Sequence, residues 1–474
     1  MTSEILDHLR LQINKKLNPD NKSKLGQFMT PSVIADYMAS LFDKQMNNIK
    51  LLDCGAGIGL LTIAAIKKLK NIDFVDLWEV DPIMIEQLKI NMQKMDVNFS
   101  VHAQDFIFGA FHALYNSSGA RYTHAIINPP YKKINSKSEH FQILKKLNIT
   151  TANLYSAFLS LAIMLMEPYG QIVAIIPRSF CNGLYYKSFR KFILENCSIE
   201  HIHVFNSRNQ VFRDDNVLQE NVIIKLMKNK RQGKVVISQS NDHKFYDYQN
   251  KEFPFSDIIL KNDPEQFIHI PFNKQIVNDR IFSVRLSQMG LNVSTGPVVD
   301  FRAKEFLQYE PTEKSVPLLY PHNFVNNRLE YPKKHKKPNA IKLSCKSQKW
   351  LMPTDGFYVL VKRFSTKEEQ KRIVAYIVNP KEIEGKWIGF ENHWNVFHKN
   401  KHGLDKEVSL GLACFLNSTV FDSYFRIFSG HTQVNATDLK NVQYPSIEIL
   451  CKLGRNYKRD MNQEQIDQLI ENIK

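Results

Sequence analysis

Asn128-Pro129-Pro130-Tyr131 is the stretch of this chain whose residue types most directly suggest chemistry. Two adjacent prolines fix φ and remove two N–H donors, leaving carbonyls that can only accept hydrogen bonds. Beside them stand an amide side chain and an aromatic face. Rigid acceptors next to a stacking ring suit a planar group carrying an NH2, so the tetrapeptide is a candidate for modifying an amine. The preceding run, Ala125-Ile126-Ile127, reads as a buried strand. That places the tetrapeptide at the carboxyl end of a strand, where a parallel α/β sheet presents ligand-binding groups. A rigid loop without chemistry would look the same in isolation, and the residues upstream argue against it.

Upstream, Asp53-Cys54-Gly55-Ala56-Gly57-Ile58-Gly59 follows one strand and opens a helix. Glycine there permits a tight turn and close backbone approach to a ligand. The acid ahead of the first glycine departs from the Gly-x-Gly-x-x-Gly of dinucleotide folds, and no Gly-Lys-Ser/Thr follows, which disfavours a P-loop NTPase. Glu79 ends the next strand, within Trp78-Glu79-Val80-Asp81-Pro82, where a carboxylate can accept from both hydroxyls of a ribose. A third strand ends in Gln104-Asp105-Phe106, offering a carboxylate and a ring to an adenine.

These groups need a scaffold, and the pattern supplies one. From Leu51 to Leu226, strand-like runs (Ile49–Leu52, Phe74–Trp78, Phe99–His102, Ala125–Ile127, Ile172–Ile176 and Val222–Leu226) alternate with helical ones (Thr62–Lys70, Pro82–Met95, Tyr155–Met166 and Tyr185–Asn196). That alternation predicts a doubly wound α/β domain with a mostly parallel sheet. The basic, Gly-containing stretch Lys228–Lys234 reads as a linker, giving a first domain over residues 1–228 and a second over 229–474. A chain of 474 residues has room for both, and 43% hydrophobic with 23% charged residues is ordinary for a globular protein. The N-terminus carries no signal-peptide h-region, and no apolar run approaches the roughly 20 residues that span a bilayer. Six scattered cysteines, without a Cys-x-x-Cys pair or Cys/His cluster, indicate neither a metal site nor a disulfide framework. The expectation is a reduced, cytoplasmic protein. The net charge of +16 lies mostly after Leu226, which fits polyanion binding and equally fits simple solubility.

Acid-Gly-x-Gly, strand-end Glu, strand-end Asp-Phe and then Asn-Pro-Pro-Tyr, in that order, resembles the amino-group methyltransferases that use S-adenosyl-L-methionine. The resemblance covers about Lys24 to Leu226. It implies a methyltransferase fold with Asp53, Gly55, Ala56 and Gly57 beneath the methionine part of the cofactor. Glu79 with Val80 would hold its ribose, and Asp105 with Phe106 its adenine. Leu25-Gly26-Gln27-Phe28-Met29-Thr30-Pro31 resembles the family's extra N-terminal cofactor motif, matching at Thr30 and Pro31; Thr-Pro is also a good helix start.

An aromatic amine is a poor nucleophile because its lone pair is delocalised into the ring. On the family's pattern, Asn128 and the Pro129 carbonyl accept from both amine protons and draw the nitrogen towards an attacking geometry. Asn128 also borders the cofactor, Pro130 completes the rigid turn, and Tyr131 stacks on the base. Catalysis is then positioning and electrostatics without a covalent enzyme intermediate. A base inside a duplex must be rotated out to reach such a pocket. Phe212, in the polar loop Gln210–Arg213, is the candidate for its second face; Phe205 ends an apolar run and reads as core.

Asn at the head of the tetrapeptide favours N6 of adenine over N4 of cytosine, whose enzymes usually carry Ser there. Enzymes that methylate a glutamine of release factors share Asn-Pro-Pro-Tyr but lack a long basic extension, and structured RNA is a further possible substrate. Leu291–Arg302 and Gly411–Pro445 resemble the target-recognition domains of bacterial restriction–modification systems. The order of motifs resembles the gamma class of N6-adenine DNA methyltransferases, the TaqI-like and Eco57I-like enzymes, and the C-terminal segments are similar to the PstI/BsuBI methylases. The implied partner is double-stranded DNA, beside either a separately encoded cognate restriction endonuclease or none, as for a solitary modification enzyme; too few residues precede the first motif for a fused nuclease. Lys333, Lys334, Lys336 and Lys337 form the densest charge cluster, a candidate phosphate clamp or a solvated loop. Lys362, Arg363, His431, Gln433 and Asn435 are candidates for reading base edges, and His393 and Trp394 could be reading or packing residues. A DNA-binding specificity module without catalysis is the competing class, and the intact tetrapeptide argues against it.

Overall fold

The computed structural model describes residues 2–17, 26, 28–43, 48–115, 122–205, 220–260, 263–271, 281–365, 369–428 and 433–473. The chain forms two compact units, Met1–Asn273 and Lys274–Lys474.

In the first unit β1 (Ile49–Asp53), β2 (Ile72–Trp78), β3 (Phe99–His102), β4 (Tyr122–Ile127), β5 (Met166–Pro177), β6 (Cys197–Phe205), β7 (Asn221–Lys228), β8 (Val235–Ser240) and β9 (Gln249–Phe253) make one sheet. Its order is β3-β2-β1-β4-β5-β7-β6-β8-β9. Strands β1 to β5 pair in parallel, and β7 runs antiparallel between β5 and β6. The chain winds outwards from β1 to β3 and then returns to place β4 on the other side of β1. That reversal opens a crevice above the carboxyl ends of β1 and β4, where open α/β sheets bind ligands. Both chemically suggestive turns begin there.

The central strands are covered on both faces, which is why they read as continuous apolar runs. Alternate residues divide between two cores. Leu52, Ala125, Ile127, Ile172 and Ala174 face the helices Phe106–Tyr115, Leu154–Leu165 and Lys187–Asn196. Ile49, Leu51, Ile126, Val173 and Ile175 face the helices Ser32–Ser40 and Leu60–Lys68. Period-two alternation is present but hidden, because both faces are buried.

The expected boundary at residue 228 is wrong for the compact unit. β8 pairs in parallel with β6, and β9 adds antiparallel to β8, so the sheet runs on past Lys228. Lys228–Lys234 is pinned rather than a linker: the Gln232 amide accepts from Ile199 N–H at 2.8 Å and donates to Ile199 O at 2.9 Å. Val235 and Ile237 are completely buried.

The second unit is mixed α/β, as expected. A four-stranded sheet has the order Asn292–Thr295, Trp394–His398, Tyr358–Lys362, Ala375–Val378. A five-stranded sheet has the order Leu307–Gln308, Ala340–Lys342, Ser315–Leu319, Trp387–Phe390, Leu351–Pro353. Trp394 is buried in the core between them, so it packs. The helices Lys406–Leu416 and Ile447–Asn456 meet backbone to backbone: a Cβ on Gly411 would lie 1.8 Å from Leu450 O, and one on Gly454 would lie 1.9 Å from Glu407 O.

Candidate active site

The glycine turn after β1 is shaped by φ values of +55° at Gly57 and +89° at Gly59, a region that favours glycine. Gly59 caps the helix Leu60–Lys68. Ala56 N–H donates to Trp78 O at 2.9 Å, and Gly57 N–H donates to Glu79 Oε2 at 2.8 Å, which sews the turn to the end of β2. Glu79 Oε1 accepts from Val80 and Asp81 N–H at 2.8 and 2.9 Å. Burial raises the Glu79 pKa, and these backbone donors oppose it. The carboxylate expected to meet a ribose therefore also holds the turn beneath it.

Asp53 has a different place from the one expected. It is completely buried, off the cavity wall, and accepts from the Thr62 hydroxyl at 2.7 Å. Burial pushes its pKa up to about 7, with the Thr62 hydroxyl and the Gly55 backbone working against that rise. It anchors the turn to the following helix from behind.

After β4, Asn128 Nδ2 donates to the Phe28 carbonyl at 2.6 Å and to Thr30 Oγ1 at 2.9 Å. A carbonyl can only accept, so this contact fixes which end of the amide is nitrogen. The Asn128 side-chain oxygen is thereby left in the acceptor role. Tyr131 N–H donates to Gly26 O at 3.2 Å, so Gly26, Phe28 and Thr30 all meet the tetrapeptide. Thr30 is buried, and Pro31 occupies the N-cap of Ser32–Ser40 away from the cavity wall. The Tyr131 hydroxyl donates to Ile175 O at 3.1 Å and its ring lies 5.8 Å from Phe28.

Between the ends of β1, β2, β3 and β4 lies a cavity of about 310 Å³, within the range of small-molecule sites. Gly55, Ala56 and Gly57 line it from β1, and Glu79 and Val80 from β2. Thr30, Asn128 and Pro130 line it from the side of the tetrapeptide, whereas Pro129 and Tyr131 do not. At the end of β3, Asp105 Oδ1 accepts from Ile107 N–H at 2.8 Å, and Asp105 Oδ2 lies 3.1 Å from His140 Nε2. The Phe106 ring touches the cavity but is almost wholly enclosed, edge-on to Trp78 at 5.6 Å. A backbone cradle, an acid at each of two strand ends and apolar walls suit a nucleoside carrying a vicinal diol, an amine and an apolar ring face. S-adenosyl-L-methionine has these features.

Sequence reasoning missed His140, Leu154 and Phe158, which also line the cavity. They stand on two helices after the tetrapeptide, and no local signal marks them as ligand-facing. Phe212 and His431 lie outside the described residues. No group of at least three His, Cys, Asp or Glu that could hold a metal occurs among the described residues.

In the second unit the lysine cluster is partly spent on ion pairs. Lys333 pairs with Glu330 and Lys337 with Asp300, both at 2.6 Å, and Asp300 also accepts from the Tyr320 hydroxyl. Lys334 and Lys336 are exposed, without an ion-pair partner among the described residues. The base-reading candidates converge from distant segments. Arg363 N–H donates to His393 O at 2.8 Å, Val434 N–H donates to Arg363 O at 2.9 Å, and Phe364 bridges to Gln433. Lys362 ends the strand beside them, and Asn435 stands at the N-cap position of Ala436–Asn441 without a side-chain capping bond. Phe364, unnoticed in the sequence, is 51% exposed in this group, its ring 4.9 Å from His393.

The first unit has the fold of the S-adenosyl-L-methionine-dependent methyltransferases, and the residues lining its cavity fit that molecule. The family model of the Eco57I restriction-modification methylases matches residues 59–212. The chain is 48% identical over 491 residues to Type II methyltransferase M.BsuBI of Bacillus subtilis, covering 99% of this chain and 97% of that protein. It is 40% identical over 488 residues to Type II methyltransferase M.PstI of Providencia stuartii, covering 98% and 96%. The cryoEM structure of the DrdV–DNA complex shares the fold, with a TM-score of 0.53 and 13% identity over 96% of this chain and 59% of that one. This chain belongs to the Type II DNA methyltransferases of restriction–modification systems, and the resemblance to the Eco57I-like and PstI/BsuBI enzymes holds.

Proposed function

We propose that the protein transfers a methyl group from S-adenosyl-L-methionine to N6 of an adenine rotated out of duplex DNA, as the modification component beside a separately encoded endonuclease in the bacterial cytoplasm. The observation that carries this reading is the clamped amide of Asn128. Both contacts of its nitrogen are to acceptors, the Phe28 carbonyl and the Thr30 hydroxyl, so its oxygen is committed to accepting. The Pro129 carbonyl supplies a second acceptor on a backbone that cannot donate.

When bound, S-adenosyl-L-methionine supplies an electrophilic methyl group on a sulfonium. The protein holds the amine. Asn128 and Pro129 each accept one N6 proton and draw the nitrogen lone pair out of conjugation, and Pro130 keeps the turn rigid at the cavity wall. Tyr131, fixed through its hydroxyl to Ile175 O, offers its ring to the flipped base. Phe212 is the proposed partner on the base's other face. Glu79 and Val80 meet the ribose, Asp105 meets the adenine amine, Phe106 closes the apolar wall, and Gly55–Gly57 with Thr30 border the methionine end. Asp53 and Pro31 contribute by holding that border. Lys334 and Lys336 contact phosphates, with Lys333 and Lys337 joining by exchanging their carboxylate partners for phosphate. Lys362, Arg363, His431, Gln433 and Asn435 read base edges.

Incubation with DNA and methyl-labelled S-adenosyl-L-methionine, followed by mapping of the label, tests the reading. Label on N6 of adenine at one site is the expected result; label on N4 of cytosine, RNA or protein overturns it. Asn128→Ala should retain site-specific DNA binding while kcat falls about 10²–10³-fold, the usual cost of one preorganised polar group. Methylation at the normal rate by that variant would remove Asn128 from the chemistry.

A further inference from the structure

The chain that leaves the tetrapeptide returns to the cavity. Ile134 N–H donates to Ala152 O and Leu154 N–H donates to Lys132 O, both at 2.8 Å, which ties this segment to the start of the helix Leu154–Leu165. The Ser138 hydroxyl donates to Asn135 O at 2.6 Å and accepts from Phe141 N–H at 3.3 Å, capping the helix Glu139–Lys146. His140, in the first turn of that helix, is thereby held over the end of β3. Its Nε2 lies 3.1 Å from Asp105 Oδ2, and both side chains line the cavity. The Phe108 ring packs at 5.3 Å from the imidazole.

Asp105 is therefore gripped at both oxygens, by Ile107 N–H on Oδ1 and by His140 on Oδ2. A strand-end carboxylate held at one oxygen can still swing about its side-chain torsions; one held at both has a fixed plane. Each oxygen keeps a second lone pair, so the grip leaves acceptor capacity. A fixed, acceptor-only group distinguishes a purine that presents a 6-amino donor from one that presents a 6-oxo acceptor.

We propose that His140 is a positioning residue for the methyl donor: it fixes the Asp105 carboxylate so that the cavity selects a 6-aminopurine over a 6-oxopurine. The inference rests on the reading of the cavity as the donor site and adds to it a residue from the segment that follows the catalytic turn. The contact with Asp105 also raises the His140 pKa, chiefly through the hydrogen bond, which favours the protonated, donating imidazole beside the carboxylate.

Titration calorimetry on the full chain tests this, with S-adenosylhomocysteine and its inosine counterpart as probes. The wild type should prefer the adenosine form by about tenfold or more, the worth of roughly one hydrogen bond to a charged group. His140→Ala should weaken binding of the adenosine form by about tenfold and bring the two purines close together, while KM for the donor rises by more than kcat falls. His140→Gln, which can still donate from its amide, should recover part of the discrimination. Equal loss of both purines in His140→Ala, with no recovery in His140→Gln, would reduce His140 to a piece of cavity wall. Unchanged Kd values for both would remove it from the site. If the wild type binds neither probe, the donor-site reading itself fails, which separates the two conclusions.

Discussion

Asn128, the proposed head of the chemistry, depends for its orientation on residues that take no part in the proposed reaction. Its amide is useful only if the oxygen faces the substrate, and that orientation is set by the Phe28 carbonyl and Thr30. Thr30→Val would leave one amide N–H without its partner, at about 1–3 kcal/mol, and allow the amide to turn over. We expect kcat to fall about tenfold with little change in overall fold, measured by single-turnover methylation beside circular dichroism. Asp53 carries a prediction of another kind. Its carboxyl pKa is raised by burial to about 7 in the folded state, against a reference value of 3.8. Between those values the folded protein holds a proton that the unfolded chain has lost, so this group's contribution to stability falls as pH rises through that window and levels off above it. Asp53→Asn removes the titration. Its Tm relative to wild type should climb from pH 4 to pH 7; a flat difference in thermal melts across that range would contradict the assignment.

At the scale of elements, the chain's strands were partly legible and its boundaries were not. β1 and the cores of β2, β4, β5 and β7 stand where apolar runs predict them, since strands buried on both faces need continuous apolar sequence, and β3, half-buried at the sheet edge, stands at the alternating Phe99–His102. The Phe106–Tyr115 helix went unread because it is apolar nearly all round, and a short apolar run does not by itself separate helix from buried strand. β8 and β9 were missed because a basic, Gly-containing stretch looks like a linker; only pairing with β6 and the Gln232 contacts to Ile199 show otherwise. The helix pair of the second unit gives the sharpest stability test. Gly411→Ala or Gly454→Ala would drive a methyl group into opposing backbone at 1.8 or 1.9 Å, which only separation of the helices relieves. Overpacking of this kind costs about 1–3 kcal/mol or more, so the midpoint of denaturant unfolding should drop clearly. Gly233→Ala, with nothing within 4 Å of the added carbon, is the matched control and should change it little.

For the whole molecule the net charge of +16 matters less than where its unpaired part stands. Among the described residues Lys333 and Lys337 are in ion pairs and Lys334 and Lys336 are not, so the proposed phosphate clamp would rest chiefly on Lys334 and Lys336. Changing both Lys334 and Lys336 to Ala should lower the slope of log K against log salt by about 2, since each phosphate contact releases about 0.9 counterion. Gln433→Ala should leave that slope unchanged and relax sequence preference instead. Equal slopes for wild type and the double variant in filter-binding titrations would put the phosphate contacts elsewhere.

The sequence alone determined the order of the motifs, the α/β class and the family, because glycines, prolines and strand-end acids are demanded by backbone geometry and leave marks at fixed local spacing. It also pointed to Asn128 as the head of the chemistry. What only the tertiary structure decided is which of these residues share a wall. Asp53 proved to be an anchor behind the turn, Glu79 a brace of the turn that also lines the cavity, and the lysine cluster half neutralised by Glu330 and Asp300. His140 reaches Asp105 across 35 residues of chain, and Arg363, Phe364, His393 and Gln433 meet from three separate segments. Such contacts are set by how strands and helices stack, and long-range packing leaves no period for a reader of the chain to find.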